Sequence, residues 1–429
     1  MFLQTDEQTI EDLRLFPKRD QPGIMDIYNQ TYTRGGEALM QEMFHHPLSD
    51  QQAIAARTAI IAAFAAMNAK FPFEGAVLDM VEKYLLHGEE ETDGHKHALG
   101  EKEIAGGVAA VIELLHKVRE FVAGSGLPRI PQLEKERQRI MDLMQDTALA
   151  PVFQDQPRSK LSFAAVTAYD VLIRAREKDK VLEVLQFIYL VDVFISVAHV
   201  AVKRQFVFPV PLPRESGTLK IEGVYHPELK QPVANSLTMD RNRNLVFLTG
   251  ANMAGKSTFL RSFSTAVYIA HMGFPVAASH MEFPVMDGIY TTINLPDNLG
   301  IGASHFYAEV LRVKKVAMAL NDGKALFVLF DELFRGTNVK DAHEGTVAVT
   351  HAFADNRDSI FIISSHIVEA GDALKQKPNI GFCYLPTRMN GNIPEYTYKL
   401  EEGITDDRHG MIIIRNEGIL ETLKNGKKD

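Results

Sequence analysis

The stretch LVFLTGANMAGKSTFL, residues 245–260, decides the fold of the second half of this chain. It begins with an apolar run typical of a buried strand, continues through the pattern GxxxxGKS, and ends with helical spacing. A strand, a glycine-rich loop and a helix in this order are the context that a phosphate-binding loop requires. The stretch therefore predicts a nucleoside triphosphate site. Its predicted binding residues are Gly250, Ala251, Asn252, Met253, Ala254, Gly255, Lys256, Ser257 and Thr258.

The residue types in this loop suit a nucleotide and a metal ion. Gly250 and Gly255 let the backbone curl, so that N–H groups and the positive end of the following helix face the phosphates. Lys256 adds a positive charge for the β- and γ-phosphates, and Ser257 supplies a hydroxyl ligand for Mg²⁺. Residues 338–341 read NVKD, which is not the guanine-reading order NKxD. We therefore expect ATP and Mg²⁺ as cofactors.

Two later strand patterns supply catalytic partners for the loop. The run ALFVLF, residues 325–330, delivers Asp331 and Glu332 to the carboxyl end of a buried strand, where ligands gather in open α/β sheets. Asp331 is expected to hold Mg²⁺ through water, and Glu332 to polarise the attacking water. A third strand pattern, residues 359–365, ends before His366. This histidine is expected to sense the γ-phosphate from a neighbouring strand.

Composition limits the classes to which this protein can belong. Its 429 residues predict two to three domains. A formal net charge of −9 means that any contact with nucleic acid would have to come from a local patch or an oligomer. The single cysteine, Cys383, cannot form an internal disulfide, and the N-terminus lacks the basic start and apolar core of a signal peptide. We expect a cytoplasmic protein.

Hydrophobic spacing predicts helices in the first half and an α/β domain in the second. The clearest helix covers residues 101–123, where apolar residues alternate spacings of four and three until Gly124. The proline-rich segment 206–217 predicts an extended connector and a domain boundary. We expect a helical domain over residues 1–208 and a P-loop α/β domain with a largely parallel sheet over residues 209–429.

Three segments give local signals of their own. Polar and charged residues interrupt the apolar stretch 181–202, which predicts a buried helix rather than a membrane span. Asn390-Gly391 lies between two β-rich runs and predicts a hairpin. In the helix expected after residue 305, Arg312, Lys314 and Lys315 lie off the apolar stripe and predict a solvated face.

These motifs resemble those of the MutS mismatch-repair ATPases, which belong to the ABC-type ATPase class. TGANMAGKST at 249–258 resembles the family's TGPNMGGKST, DELFRGTN at 331–338 its DE-aliphatic-GRGTS, and SSHIVE at 364–369 its strand-end TTH segment. Residues 25–57 are similar to the start of the MutS core domain, and residues 189–202 to its last helix. The resemblance implies a helical core-like domain followed by an ATPase domain.

The resemblance also implies an ATP-gated homodimer joined through the ATPase domains. Ser304, Phe306 and Glu309 match the family signature STFxxE, whose serine reaches the nucleotide held by the partner subunit. Arg335 and Thr337 are expected to line the subunit contact. The resemblance also implies that the nucleotide-driven movement of the dimer acts on DNA.

Some features depart from the family pattern. Similarity to the core begins near residue 24, so we expect neither a mismatch-reading domain nor a connector domain, and no direct reading of mismatches. Alanines replace a proline and a glycine in the loop, although its frame survives. Phe334 stands where the family has glycine, Asn338 where it has serine, and His305 where it has threonine. These three changes are expected to affect turnover or its coupling.

Two functions of different classes remain open. The first is a DNA-dependent ATPase that acts on double-stranded or branched DNA in repair or recombination, with a repair-protein partner of unknown identity. The second is a nucleotide-gated protein-interaction module that binds no DNA. No membrane association is expected for either.

Overall fold

The protein divides into two compact units, seen in a computed structural model. The structure describes residues 1–19, 21–86, 99–124, 127, 130–157, 160–251, 253–293, 305–390, 393–405 and 418–425. What we call the α/β unit consists of Met1–Asp26, His46–Ala55 and Gln205–Asp429. What we call the helical unit consists of Ile27–His45 and Ala56–Arg204.

Helices account for the regular structure that is described in the helical unit and also flank the sheets of the α/β unit. In chain order they are α1 (Glu7–Asp12), α2 (Ile24–Tyr28), α3 (Arg34–His45), α4 (Gln51–Ala66), α5 (Gly75–Leu86), α6 (Glu101–Ala123), α7 (Glu134–Met144), α8 (Phe163–Asp170), α9 (Lys178–Arg204), α10 (Lys256–His271), α11 (His305–Asn321), α12 (Val339–Ala354), α13 (Val368–Leu374) and α14 (Ile419–Asn425). Helix α6 has the bounds that the apolar spacing predicted.

The strands that the structure describes all belong to the α/β unit. They are β1 (Val210–Leu212), β2 (Leu219–Val224), β3 (Asn235–Met239), β4 (Leu245–Gly250), β5 (His280–Pro284), β6 (Gly288–Thr292), β7 (Leu326–Phe330), β8 (Ile360–Ser364), β9 (Ile380–Leu385), β10 (Thr387–Asn390), β11 (Ile393–Tyr396) and β12 (Glu401–Glu402).

A six-stranded sheet forms the centre of the α/β unit. Its order is β12-β9-β4-β8-β7-β6, and the strands from β9 to β6 run parallel, whereas β12 is antiparallel to β9. Every residue of β4, β7 and β8 is buried, because helices cover a parallel sheet on both faces. The prediction of a largely parallel sheet, with strands at these three runs, is confirmed.

A second, four-stranded sheet was not predicted. Its order is β1-β5-β2-β3, with β1 parallel to β5 and the other pairs antiparallel. The proline-rich segment contributes β1, so part of the expected connector is an edge strand. Strands β10 and β11 pair antiparallel, with Asn390 opposite Ile393, which confirms the predicted hairpin.

The first residues of the chain are part of the α/β unit rather than of the helical unit. Gln4 lies beside Gly288 at the β6 edge: the Gln4 amide donates to Asp287 O and the Ile289 amide donates to Gln4 O, each at 2.8 Å. Thr9 and Asp12 of α1 are buried against the same edge. Residues 1–26 and 46–55 thus group with residues 205–429 in one compact unit, and Gln4 covers a strand edge that would otherwise be unpaired.

Helix α9 is the apolar centre of the helical unit. Its length and mean hydropathy of 2.0 would allow a membrane crossing, but 78% of its most apolar 18-residue window is buried inside the protein. Its apolar side chains therefore face protein, as in the core helix of a globular unit.

A buried carboxylate on α9 holds the start of α3. Asp192 Oδ2 accepts hydrogen bonds from the Thr33 amide at 2.9 Å and from the Thr33 hydroxyl at 2.7 Å. Thr33 Oγ1 in turn accepts from the Gly36 amide at 2.9 Å, which caps the helix. Burial raises the pKa of Asp192, while the hydrogen bonds from Tyr32 and Thr33 act in the opposite direction.

Replacing Gly36 by alanine is expected to destabilise this cap. A Cβ there would lie 2.5 Å from Asp192 Oδ2 and 2.8 Å from Thr33 Oγ1, so the buried network must shift, at a cost of about 1–3 kcal/mol. Gly106→Ala in α6 is the matched control, since its Cβ would meet only the Met80 sulfur at 3.7 Å. It should stabilise by up to about 1 kcal/mol. Urea unfolding measures both, and equal midpoints for the two variants would contradict the assignment.

Candidate nucleotide site

The site lies where three neighbouring parallel strands end. Strand β8 pairs with β4 on one side and β7 on the other. The glycine-rich loop follows β4, Asp331 and Glu332 follow β7, and His366 follows β8. Since parallel strands have their carboxyl ends at one edge, the sheet brings these groups together there.

The loop leads directly into α10. Gly250 and Gly255 have φ of 150° and 96°, values that only glycine adopts at little cost. Lys256 is 5% exposed, and its Nζ donates to Gly250 O at 2.7 Å and to Ala251 O at 3.1 Å. Burial lowers the pKa of Lys256, whereas the charges of Glu332 and Asp331 act to raise it. The lysine is thus held across the loop, close to the carboxylates.

Asp331 joins the loop to the two neighbouring strands. Ser257 Oγ donates to Asp331 Oδ2 at 2.6 Å, and the Ser364 hydroxyl donates to Asp331 Oδ1. The Asp331 amide donates to Thr292 O, at the end of β6, at 2.8 Å. Asp331 is therefore fixed through its side chain and its backbone.

Glu332 is paired with His366 and with the cation Arg335. One carboxylate oxygen contacts His366 Nε2, and the other accepts from Arg335 at 3.2 Å. Its amide donates to Ser364 Oγ at 2.9 Å. The hydrogen bond to His366 lowers the pKa of Glu332 to about 2, and the charge of Lys256 acts in the same direction, although burial opposes them. Glu332 is therefore ionised at neutral pH.

The backbone after β7 is strained. Glu332 and Phe334 have φ of 57° and 62°, in the left-handed region that costs an L-residue roughly 1–2 kcal/mol. The Phe334 ring is 5% exposed and lies edge-on to Phe306 of α11 at a centroid distance of 5.7 Å. The buried ring therefore anchors this strained turn against α11.

Ser257 and Asp331 fit a magnesium ion. They present hard oxygen donors side by side at the solvent-facing end of the loop, which are the ligands that Mg²⁺ prefers. No group of three or more His, Cys, Asp or Glu side chains suited to a metal occurs among the described residues. Phosphate and water would therefore have to complete an octahedral shell, as is usual for Mg²⁺ with nucleotides.

Two predicted site residues, Asn252 and Ser304, lie outside the described residues, as does the side chain of His305. The other predicted residues of the site lie in the loop, in the first turn of α10, or after β7 and β8. The interpretation of Arg312 as part of a solvated face was wrong: it is 9% exposed and paired with Asp6. Nothing in the α11 sequence shows this pairing, because the partner is over 300 positions away.

Sequence reasoning also missed two residues of the site. Ser364 binds both Asp331 and the backbone of Glu332, and its only signal was a hydroxyl at a strand end. The Tyr398 ring covers Gly255, where a Cβ would lie 2.8 Å from it. The carbonyl of Tyr398 accepts from Asn235 Nδ2 at 2.9 Å, so β3 helps to place this ring.

Fold and loop together define an α/β protein with a glycine-rich strand-loop-helix at the carboxyl edge of a parallel sheet. Residues 246–425 match the family model for MutS domain V. The chain is 28% identical over 255 residues to the DNA mismatch repair protein MutS of Listeria monocytogenes serotype 4a, across 56% of this chain and 29% of the relative. It is 26% identical over 264 residues to the MutS of Persephonella marina, across 59% of this chain and 30% of the relative.

A third relative, the DNA mismatch repair protein MutS of Fusobacterium nucleatum, is 28% identical over 241 residues, across 54% of this chain and 26% of the relative. The second half of the present chain therefore matches MutS domain V, and the chain is similar to MutS proteins over somewhat more than half of its length. The matched region spans less than a third of the length of each of these relatives.

Replacing His366 by alanine is expected to raise the pKa of Glu332 from about 2 towards the ordinary value of 4.5. Because the folded pKa is lowered, ionised Glu332 stabilises the native state above pH 4.5, and this contribution is lost as pH falls towards about 2. The variant should lose part of that pH dependence. Carboxyl ¹³C NMR between pH 3.5 and 6 measures the titration, with Glu332→Gln identifying the signal. An unchanged Glu332 titration would contradict the pairing.

Proposed function

We propose that this protein is a Mg²⁺-dependent ATPase that works as an ATP-gated homodimer on DNA in repair or recombination. The observation that carries the proposal is the meeting of Ser257 Oγ and Asp331 Oδ2 at 2.6 Å beside the glycine-rich loop. The next residue, Glu332, is ionised and hydrogen-bonded, which supports hydrolysis as well as binding. The match to MutS domain V and the similarity to DNA mismatch repair proteins support ATP as the nucleotide and DNA as the target.

The geometry of the described loop residues supports the following proposed roles. The amides of residues 250–258 and the amino end of α10 bind the phosphates. Lys256 leaves the two loop carbonyls to bind the β- and γ-phosphates. Ser257 and Asp331 hold Mg²⁺, which neutralises phosphate charge when bound.

Glu332 orients and polarises the attacking water, and His366 senses the γ-phosphate. The His366 side chain is 36% exposed and that of Glu332 is 20% exposed, and the two residues follow the ends of neighbouring strands. Their contact keeps the carboxylate ionised, so Glu332 can accept a hydrogen bond from water once the nucleotide is bound. The exposed sides of Ser257 and Thr258 leave the loop open to a ligand.

Dimerisation through the ATPase regions completes the proposed switch. Ser304 of each subunit is proposed to reach the nucleotide of its partner, with Arg335 and Thr337 along the contact. Arg335 is exposed and already bonded to Glu332, so a subunit contact there would reach the proposed catalytic carboxylate. A ligand that favours the closed pair shifts the population towards it, and hydrolysis would reopen it. The protein is proposed to be cytoplasmic, with a repair-protein partner of unknown identity.

Lys256→Ala is expected to weaken ATP binding by about 10- to 100-fold, because a hydrogen bond to a charged group contributes roughly 1.5–3 kcal/mol. Glu332→Gln should keep ATP binding but lower kcat by about 10²–10⁴-fold and accumulate the ATP-bound dimer. Equilibrium binding of a fluorescent ATP analogue, steady-state ATPase assays and light scattering measure these effects. Equal ATP affinity in wild type and Lys256→Ala would overturn the assignment of the loop.

DNA dependence is expected as a rise in ATPase rate with one DNA form, which weakens as salt increases because phosphate contacts release counterions. The assay compares no DNA, homoduplex, a mismatched duplex and a four-way junction, with Glu332→Gln protein as the control for contaminating ATPase. A rate above this control that no DNA form changes would instead favour the nucleotide-gated protein-interaction module. ATP-driven dimerisation without any DNA effect would be its signature.

A further inference from the structure

Asp12, the last residue of α1, is not one of the proposed ligands, yet it contacts α10, which carries Ser257, and the end of β6, which holds the Asp331 amide. It is 3% exposed and lies in the α/β unit. Its carboxylate and its backbone carbonyl accept hydrogen bonds from two different parts of that unit. Nothing in the proposed reaction uses this buried carboxylate directly.

The carboxylate of Asp12 holds the end of β6. Asp12 Oδ2 accepts from the Thr291 hydroxyl at 3.0 Å and from the Ile293 amide at 2.8 Å. Thr292 lies between these two residues, and its carbonyl accepts a hydrogen bond from the Asp331 amide at 2.8 Å. Asp12 therefore holds the residues on either side of Thr292. Thr292 in turn anchors the proposed magnesium ligand, Asp331.

The backbone of Asp12 holds α10. Its carbonyl accepts from Arg261 Nε at 2.8 Å. Arg261 lies in the second turn of α10, whose first two residues are Lys256 and Ser257. Asp12 thus ties the helix that carries Ser257 to the strand end that anchors Asp331.

Neighbouring contacts hold the same strand end. Thr9 Oγ1 accepts the Thr291 amide at 3.0 Å, and Arg312 donates to Thr292 Oγ1 at 3.1 Å and to Thr291 O at 2.7 Å. Arg312 is paired with Asp6, the N-cap residue of α1. Burial acts to raise the pKa of Asp6, but the hydrogen bond and charge of Arg312 outweigh it and hold the pKa well below its usual range. The strand end is held from two sides.

We propose that Asp12 is a positioning residue for the bound magnesium ion, because it sets the separation of the Ser257 and Asp331 oxygens. The inference rests on the proposed function, which supplies the metal and the nucleotide. Mg²⁺ demands near-ideal octahedral geometry, so ligands from two elements must be held at a fixed separation. Loss of a residue that orients a metal ligand typically costs about 10- to 100-fold in metal affinity.

The test measures binding of a fluorescent ATP analogue to the full chain, in EDTA and across a Mg²⁺ titration. Asp12→Ala is expected to raise the half-saturating Mg²⁺ concentration about 10-fold. Affinity in EDTA should stay at the wild-type value, because the loop amides and Lys256 are unchanged. Asp12→Asn keeps an acceptor oxygen for Thr291 and Ile293, and it should restore the wild-type Mg²⁺ midpoint.

Two further variants separate positioning from loss of stability. Thr291→Val removes one hydrogen bond to Asp12 with little change of shape, and it should shift the Mg²⁺ midpoint in the same direction even if Asp12→Ala does not fold. Thr291→Ser, which keeps the hydroxyl, is its matched control. Ile61→Ala removes a fully buried side chain in the helical unit, so it should lower the melting temperature and leave the Mg²⁺ midpoint unchanged.

The outcomes distinguish this inference from the function on which it rests. Folded Asp12→Ala or Thr291→Val protein with the wild-type Mg²⁺ midpoint would overturn the inference alone. So would an equal loss of affinity with and without Mg²⁺, since the effect would then lie in the loop and not in the metal. A wild-type protein whose nucleotide binding ignores Mg²⁺ would overturn the proposed magnesium site itself.

Discussion

The parallel pairing of β8 between β4 and β7 is the constraint on which the candidate site depends. Adjacent strands lie about 4.8 Å apart, so groups that follow three neighbouring strands are within reach of one another. Register matters as much as order, because a slip of one residue would turn the Ser364 side chain to the opposite face. Ser364 would then leave both Asp331 and the Glu332 amide. The continuous apolar runs of these strands are therefore a condition for the chemistry that is proposed at their ends.

The charges at this edge are balanced among themselves. Lys256 is buried next to two carboxylates, and Glu332 is bonded to His366 and Arg335. A buried charge that lacks such partners would cost several kcal/mol, so the cluster can exist without a ligand only because its members satisfy one another. A nucleotide would bind by exchange, in which phosphate oxygens replace the loop carbonyls around Lys256. Affinity would reflect the difference between two sets of hydrogen bonds rather than the full strength of either.

The sequence predicted the features that are encoded locally. The strands before the loop, Asp331 and His366 were recognisable because each is a short apolar run that ends in a polar residue. The hairpin and helix α6 were equally clear, since turn residues and helical spacing act over a few positions. The roles of the site residues are still predictions.

The missed features depend on contacts between distant parts of the chain. Strand β2 alternates buried and partly buried residues, a weaker signal than a continuous apolar run, so the four-stranded sheet was not seen. Arg312 reads as a surface cation until Asp6 is placed beside it, and Tyr398 reads as a hairpin residue until it covers Gly255. Pairings of this kind are specified by the whole fold rather than by any segment.

The order of the compact units along the chain has a consequence for how the protein can be divided. The backbone passes between them four times, at residues 26–27, 45–46, 55–56 and 204–205. A fragment that starts at Gln205 would contain the glycine-rich loop but would lack α1 and Gln4. It would leave the Asp287 carbonyl and Ile289 amide of the β6 edge without their partners, and such edges invite self-association. The compact unit that contains the domain V match therefore also includes residues 1–26, far outside the matched segment.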